Sequence, residues 1–214
     1  MREEESLKTP LFCLLAVICS LGNAQEFSVQ KIPLGPTWSG TFDLPYHRGI
    51  HAINRRGELL AILHNEETDY FGSFIFLRSG WEEIIMAGRP VFSLAMNRHA
   101  TVVGGTASAQ NPNVARPFVW SKGRGREIQF NDSPAAWATS INDHGDVVGS
   151  FVNAAQSEQR AFLFRKNKLY DLGQEHGGTL PLINNAGDIA LGVARSGVGA
   201  VLLLRDGKTN FVGG

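Results

Sequence analysis

The sequence predicts an all-β fold of four repeated, four-stranded units of about 43 residues each, forming a small β-propeller or an open propeller-like array. Its apolar runs have strand length and are bounded by Gly, Asn or Pro, which disfavours long amphipathic helices. A short motif also recurs four times, with anchoring asparagines at Asn54, Asn97, Asn142 and Asn184. These asparagines are spaced by 43, 45 and 42 residues, a period in the range of four-stranded propeller blades.

The first strand of each unit is predicted to end in a tight turn at the anchor asparagine. An asparagine side chain can accept a hydrogen bond from the backbone two residues further on, which starts such a turn. Gly57, Gly145 and Gly187 follow three residues after their anchors, where a hairpin requires a positive φ. The second unit has Ala100 at this position, and we expect it to adopt the same left-handed conformation.

Three further strands complete each unit. The second strand reads LLAIL, TVVGG, DVVGS or DIALG, and is rich in the β-branched and small residues of closely packed strands. The third strand is an apolar segment that ends in a polar turn, and a short fourth strand follows that turn. Trp120 lies in the third strand of its unit, so we expect it in the core.

The ends of the repeat array admit more than one arrangement. The segment FSVQKIPL, residues 27–34, is typical of a last strand placed before the first unit, where it would complete the fourth unit as in closed propellers. The segment TNFVGG, residues 209–214, offers a competing strand. A four-bladed ring with a spare edge, a fragment of a larger ring and an open curved array all fit. A small propeller is favoured because closure removes exposed edges.

The first 24 residues are predicted to be a signal peptide, with the mature domain spanning residues 25–214. An apolar run of 11 residues, 11–21, is too short to span a membrane and has the length of a signal-peptide core. Gly22 and Ala24 supply small residues for cleavage before Gln25. The alternative is a buried N-terminal helix, because glutamates outnumber basic residues at the start. We therefore expect secretion to the extracellular space or the periplasm.

Charge and cysteine content disfavour several kinds of partner and chemical site. The chain has 20 basic and 20 acidic residues, so the net charge is zero and a nucleic-acid partner is disfavoured. Both cysteines, Cys13 and Cys19, lie in the predicted signal peptide. The mature chain would therefore contain no disulfide and no thiolate nucleophile. No later apolar run is long enough to cross a membrane.

The repeat motif resembles the extracellular HAF repeat family of secreted bacterial proteins. The third unit matches best, with SINDHGDVVGS, RAFLF and LYDLG, and the resemblance extends from about residue 27 to the C-terminus. The histidine that the family places before Ala-Phe is replaced in the four units by Gly72, Arg116, Arg160 and Gly199. The resemblance implies a secreted, propeller-like module and no established activity.

Residue patterns that support chemistry are sparse, and we expect neither a cofactor nor a metal site. One dense group of titratable side chains consists of His47, His51, His64, Glu66, Glu67 and Asp69. It lacks a recognised ligand spacing and is better explained as a solvated loop. The acids of DHGD, 143–146, fall in a hairpin turn and lack the ligand series of a calcium loop. The paired Glu82 and Glu83 would point to opposite faces of a strand.

The sequence therefore favours a secreted, non-catalytic binding or structural module. The turns at one end of the units are short, whereas the connections at the other end, the loop face, are long and variable; they comprise 35–50, 64–73, 105–117, 151–160 and 173–180. Loops on a rigid scaffold concentrate recognition residues. The candidate ligand-binding residues are Trp38, Tyr46, His47, Arg48, Tyr70, Asn111, Arg116, Arg160 and His176.

Two alternatives stay open. Aromatic and polar groups in these loops suit a glycan or an extracellular protein as ligand, whereas acids in the 66–69 loop would suit a carbohydrate-active propeller enzyme. Trp38 and Trp137 are candidates either for stacking on a sugar or for filling the space between units. The oligomeric state does not follow from the sequence.

Overall fold

The computed structural model describes residues 16–17, 29–30, 38–39, 49–65, 67–86, 89–107, 115–130, 133, 135–153, 158–175, 180–195, 198–205 and 208–212. Within these ranges the regular structure consists entirely of β-strands. No helix capable of crossing a membrane occurs among them.

The strands are β1 (Ala16–Val17), β2 (Val29–Gln30), β3 (Trp38–Ser39), β4 (Gly49–Ile53), β5 (Leu59–Asn65), β6 (Tyr70–Leu77), β7 (Gly80–Glu83), β8 (Ile85–Met86), β9 (Arg89–Met96), β10 (Val102–Ala107), β11 (Ala115–Ser121), β12 (Arg124–Glu127), β13 (Ala136–Ile141), β14 (Val147–Asn153), β15 (Glu158–Arg165), β16 (Lys168–Gln174), β17 (Leu182–Ile183), β18 (Ile189–Arg195), β19 (Val198–Arg205) and β20 (Lys208–Val212).

Four antiparallel sheets follow one another along the chain, one for each predicted unit. The first sheet contains β4–β7, the second β9–β12, the third β13–β16 and the fourth β17–β20. Two short strands extend the first two sheets: β3 pairs with β5 beside β4, and β8 pairs with β9. The predicted all-β repeat of four-stranded units is therefore confirmed.

The core lies between successive sheets. Leu60 and Ile75 of the first sheet pack with Val102, Phe118 and Trp120 of the second, so Trp120 is a core residue as predicted. The matching residues at the next two interfaces include Val103, Ala138, Val147 and Phe162, and then Val148, Leu163, Ile189 and Leu191. We call the face that packs on the next sheet the forward face and the opposite side the rear face. Each sheet is thereby stabilised mainly by its neighbours in the array.

Two glycines allow the first and second strands of the middle units to approach closely. The strand register shifts at Gly104 in the second unit and opposite Gly149 in the third. A Cβ at Gly104 would collide with the carbonyl oxygen of Phe92, and one at Gly149 with that of Trp137. In these two units the backbones are too close for a side chain, which explains the glycine in each strand; the first unit has a register shift at the same place but accommodates Ala61 there.

The array is open at its described ends. The expectation that residues 27–34 complete the fourth sheet is wrong for the described pair Val29–Gln30, which is hydrogen-bonded to Ala16–Val17. The fourth sheet instead ends in its own strand β20, which pairs with β19. β20 forms a hairpin with the preceding strand, β19, and is therefore the edge strand of the fourth sheet. The chain is therefore a propeller-like array of four stacked sheets.

Candidate functional site

The turns between the first and second strands share one geometry. In the third unit, Asn142 Oδ1 accepts hydrogen bonds from the backbone N–H groups of His144, at 3.0 Å, and Asp146, at 2.9 Å. Asn97 Oδ1 does the same for His99 and Thr101 in the second unit. These bonds satisfy the turn backbone internally, as the motif predicts.

The left-handed turn position is filled as expected in every unit. Gly57, Gly145 and Gly187 have φ values of 74°, 83° and 88°. Ala100 has a φ of 58° and occupies the same position without being a glycine. The second unit therefore contains a backbone conformation that disfavours its own side chain.

Neighbouring turns are bonded to one another. Asn97 Nδ2 donates to the carbonyl oxygen of Asn142 at 3.0 Å, and the backbone N–H of Arg98 donates to Asp143 Oδ1 at 3.0 Å. The backbone N–H of Asp143 donates in turn to Asn185 Oδ1 at 2.8 Å. The bond from the Arg98 backbone lowers the pKa of Asp143. The end of the array that carries these turns, which we call the turn face, is a connected polar surface.

An acid–arginine pair bridges the second and third strands at the turn face of the last two units. Asp146 Oδ2 lies 3.0 Å from Arg165 Nη2, and Asp188 Oδ2 lies 2.7 Å from Arg205 Nη2. The hydrogen bond from Arg205 lowers the pKa of Asp188. The second unit has Thr101 in the place of the acid, four residues after its anchor.

Ser121 takes the place of the arginine in the second unit. The strand pairing aligns Trp120 and Ser121 with the last two residues of the corresponding strand in the third unit, of which Arg165 is the second. The two short hydroxyl side chains line a cleft of about 620 Å³ that is formed by the first and second units and the turn of the third. Its walls are formed by Arg56, Glu58, Leu77, Glu82, Asn97, His99, Ala100, Thr101, Trp120, Ser121, Lys122, Asp143, His144 and Gly145.

This cleft is part of a longer groove. A cleft of about 550 Å³ shares the walls Arg56, Glu58 and Leu77 with it and extends to Ser79 in the first unit. A third cleft, of about 510 Å³, shares His144 and Gly145 and continues over the third unit. The groove thus runs along the turn face of three successive units, and we call it the turn-face groove.

Several polar groups in the groove are available to a ligand. The side chains of Glu82, Thr101, Ser121 and Lys122 make no hydrogen bond within the described part of the chain. The central cleft combines two cationic side chains and three carboxylates with two imidazoles. Donors and acceptors of both kinds therefore face the same space, with no large excess of either charge.

The loop-face residues whose side chains the structure describes are engaged internally. Tyr70 donates from its hydroxyl to Glu83 Oε1 at 2.8 Å, and burial together with this carboxylate raises the pKa of Tyr70 to about 12. Arg116 Nη1 donates to the carbonyl oxygen of Ser133 at 2.7 Å. Arg160 Nε donates to Asp171 Oδ2 at 2.8 Å. These three side chains therefore support the local structure around their loops.

The other loop-face candidates lie outside what the structure describes. They are the side chains of Trp38, Tyr46, His47, Arg48, Asn111 and His176. Their contribution to binding stays a prediction.

Trp137 fills space between two units. A Cβ added to Gly105 of the second unit would lie 2.7 Å from the indole of Trp137 in the third, so the ring rests against that glycine. Of the two roles weighed for this tryptophan, the geometry supports packing between units.

The histidine-rich segment forms a local pair rather than a cluster. His64 Nε2 lies 2.8 Å from Asp69 Oδ1, and the imidazole stacks on Phe71 with ring centroids 4.3 Å apart. No group of three or more His, Cys, Asp or Glu side chains within the described ranges is arranged to hold a metal ion. Glu66 and His47 of the predicted group lie outside those ranges.

Sequence reasoning missed one buried acid. Glu175 is only 5% exposed, and its Oε2 accepts a hydrogen bond from Ser150 Oγ at 2.6 Å. Among the described residues, its Oε1 has no hydrogen-bond partner. Burial raises the pKa of Glu175 above its usual range. A glutamate after a strand is ordinarily solvated, so no sequence signal indicates this environment.

Comparisons with known proteins give similarity at the level of the fold. No family model matches the chain, and no curated protein matches it. Among solved structures, it is similar to the β-propeller domain of the Trilobed protease from Pyrococcus furiosus, described as having an open velcro topology. The identity is 11%, the TM-score is 0.43, and the match covers 91% of this chain and 75% of that chain. The fold assignment here rests on the four sheets themselves.

Proposed function

We propose that this chain is a secreted, non-catalytic binding module that holds an uncharged oligosaccharide in the turn-face groove. The observation that supports this most is the continuity of three clefts across successive units, with unengaged hydroxyl, carboxylate and ammonium groups at the centre. A groove of this form suits an extended ligand rather than a compact one.

The chemistry of the central cleft favours hydroxyl groups over ionic ones. Each sugar hydroxyl both donates and accepts a hydrogen bond, and the cleft offers Glu82 as acceptor, Lys122 as donor and Thr101 and Ser121 as either. A phosphate or sulfate would meet three carboxylates, and an ammonium ligand would meet two cations. The mixed lining thus disfavours strongly charged ligands of either sign.

The rigidity of the groove also supports a binding role. Its turns are joined by bonds such as that from Asn97 Nδ2 to Asn142, so the walls are ordered before a ligand arrives. Preorganisation of this kind reduces the entropic cost of binding. The loop face stays a second location for the same function, because most of its candidate side chains are not described.

A glycan array scored beside a glycosidase panel tests the proposal. We expect retention of uncharged oligosaccharides without hydrolysis by the purified chain, and weaker retention by Lys122→Ala than by Tyr70→Ala. Hydrolysis would identify a carbohydrate-active enzyme instead. Retention of charged glycans alone, or no retention, would contradict the proposed ligand class. Loss in Tyr70→Ala alone would place the site on the loop face.

A further inference from the structure

The forward face of the fourth sheet repeats a pattern that is used for packing in the other three. In each earlier sheet, two paired residues of the second and third strands pack against the next sheet; the pairs are Leu60–Ile75, Val103–Val119 and Val148–Leu163. The fourth sheet has Ala190 paired with Leu203 in the same register. Its forward face therefore retains the apolar character of an interface.

Most of this face is exposed. Leu182 extends the row formed by Ala190 and Leu203, and a second row pairs Val201 with Val212. Leu182, Val201 and Val212 are 58%, 42% and 55% exposed. Ala161, which takes the place of Val201 in the third sheet, is 0% exposed because the fourth sheet covers it. Two adjacent rows of side chains, aliphatic except for Asn210 opposite Leu203, thus face solvent.

The polar edge of the face is repeated as well. In the third sheet, Arg165 is held by Asp146 and reaches the turn of the next unit, 3.3 Å from where a Cβ on Gly187 would lie. In the fourth sheet, Arg205 donates to both carboxylate oxygens of Asp188, at 3.0 and 2.7 Å. The carboxylate and the guanidinium are already paired, which reduces the cost of covering them, whereas Lys208, opposite Arg205 on the same face, is exposed.

We propose that a second copy of this chain docks here, with the fourth sheets of the two copies packed face to face about a twofold axis. Flat aliphatic rows of Val201, Leu203 and Val212 are complementary to themselves, as an isologous contact requires. The net charge of the chain is zero, so two copies do not repel each other.

Head-to-tail stacking is disfavoured by the opposite end of the array. The rear face of the first sheet, formed by Ala61, Leu63 and Phe74, is already buried within the chain. Ile53, at the turn-face end of the same rear face, is 52% exposed, so a small open surface remains there for another copy. Contact between two fourth sheets is therefore the arrangement that covers the exposed rows and continues the sheet-on-sheet packing of the array.

Sedimentation velocity of the full chain over a wide concentration range tests this interface. We expect a dimer, and we expect Val201→Glu to raise its dissociation constant at least about a hundredfold, because each copy would bury an unpaired carboxylate. Ile53→Glu is the matched control: it places the same charge at another exposed aliphatic residue, 52% exposed, at the far end of the array.

Each outcome of these measurements either supports or overturns the proposed dimer. Circular dichroism should show the same β content in the wild-type chain and in both variants. A wild-type chain that is monomeric throughout would overturn the proposal, even if the face bound a different protein. A dimer that survives Val201→Glu, or that is lost equally in Ile53→Glu, would overturn it too. This test does not depend on whether the turn-face groove binds a glycan.

Discussion

The second and third units have the same strand order and the same anchored turn, yet they differ at several matched positions. The second unit has Ala100 at the left-handed turn position, where the third has Gly145. The second ends its turn in Thr101, whereas the third has Asp146 bonded to an arginine. The comparison teaches that the same strand arrangement can either pair the polar side chains of its turn with one another or leave hydroxyl groups unpaired and accessible to a ligand.

A third difference lies at the loop end of the second strand. Gly105 of the second unit accommodates the indole of Trp137, whereas Ser150 in the third unit binds the buried carboxylate of Glu175. Packing at one interface is therefore apolar and at the next partly polar. What the two units share is the glycine where the strands approach most closely.

The largest effect is expected at that shared glycine. Gly149→Ala should lower the free energy of unfolding by about 3 kcal/mol, because the new methyl group would collide with backbone atoms that are fixed in the ladder. Gly104→Ala should cost a similar amount. Urea unfolding of both variants measures this. Gly145→Ala is the control with open space around its Cβ, and a loss there as large as in Gly149→Ala would contradict the account.

The acid–arginine pair is expected to matter next. Asp146→Ala should cost about 1.5 kcal/mol, since the carboxylate forms an ion pair with Arg165 and accepts a hydrogen bond from Asn142 Nδ2 in a half-buried position. Thr101→Ala in the second unit should change stability by much less, because its hydroxyl makes no such bond. Equal losses in the two variants, measured by thermal and urea unfolding, would remove the contrast between the units.

Exchanging alanine and glycine at the left-handed turn position should change the free energy of unfolding in opposite directions in the two units. Ala100→Gly should stabilise the chain by about 1 kcal/mol and Gly145→Ala should destabilise it by about as much, because a Cβ disfavours positive φ. Denaturant midpoints of the two variants measure the effect. A shift in the same direction for both would mean that the turns are not equivalent.

The smallest effect depends on pH and concerns Glu175. Its pKa is raised in the folded chain, so the protonated form is favoured by folding and its contribution is lost as the pH rises through the folded pKa. Glu175→Gln should therefore be more stable than the wild type at neutral pH, and the difference should shrink in acid. Unfolding curves at several pH values check this, and a gain that persists unchanged in acid would contradict it.

The sequence predicted the repeats because the anchor asparagine and its turn glycine depend on local backbone geometry. The same reasoning placed Ala100 in the left-handed region. It did not identify Gly104 and Gly149 as close-approach residues, since that role depends on a register shift between strands. Nor did it find the turn-face groove, because Thr101 and Ser121 come together only through the pairing of adjacent strands.

The arrangement of the N-terminal strands was also beyond local reasoning. Pairing of Val29–Gln30 with Ala16–Val17 depends on competition between neighbouring segments, and the residue pattern of 27–34 contains no information on its partner. Export, with cleavage before Gln25, stays a prediction. Mass spectrometry of secreted material would check it, and mature protein that retains Cys13 would contradict it.

The measurement that tests the central claim most directly is glycan-array binding by two exchange variants of the second and third units. Thr101→Asp with Ser121→Arg installs the acid–arginine pair in the second unit, and Asp146→Thr with Arg165→Ser removes it from the third. If the central cleft of the turn-face groove holds the ligand, the first variant loses retention of the uncharged oligosaccharides, whereas the second, which alters only walls of the third cleft, loses much less, both with unchanged circular dichroism. Retention by the first variant equal to that of the wild type would contradict the claim.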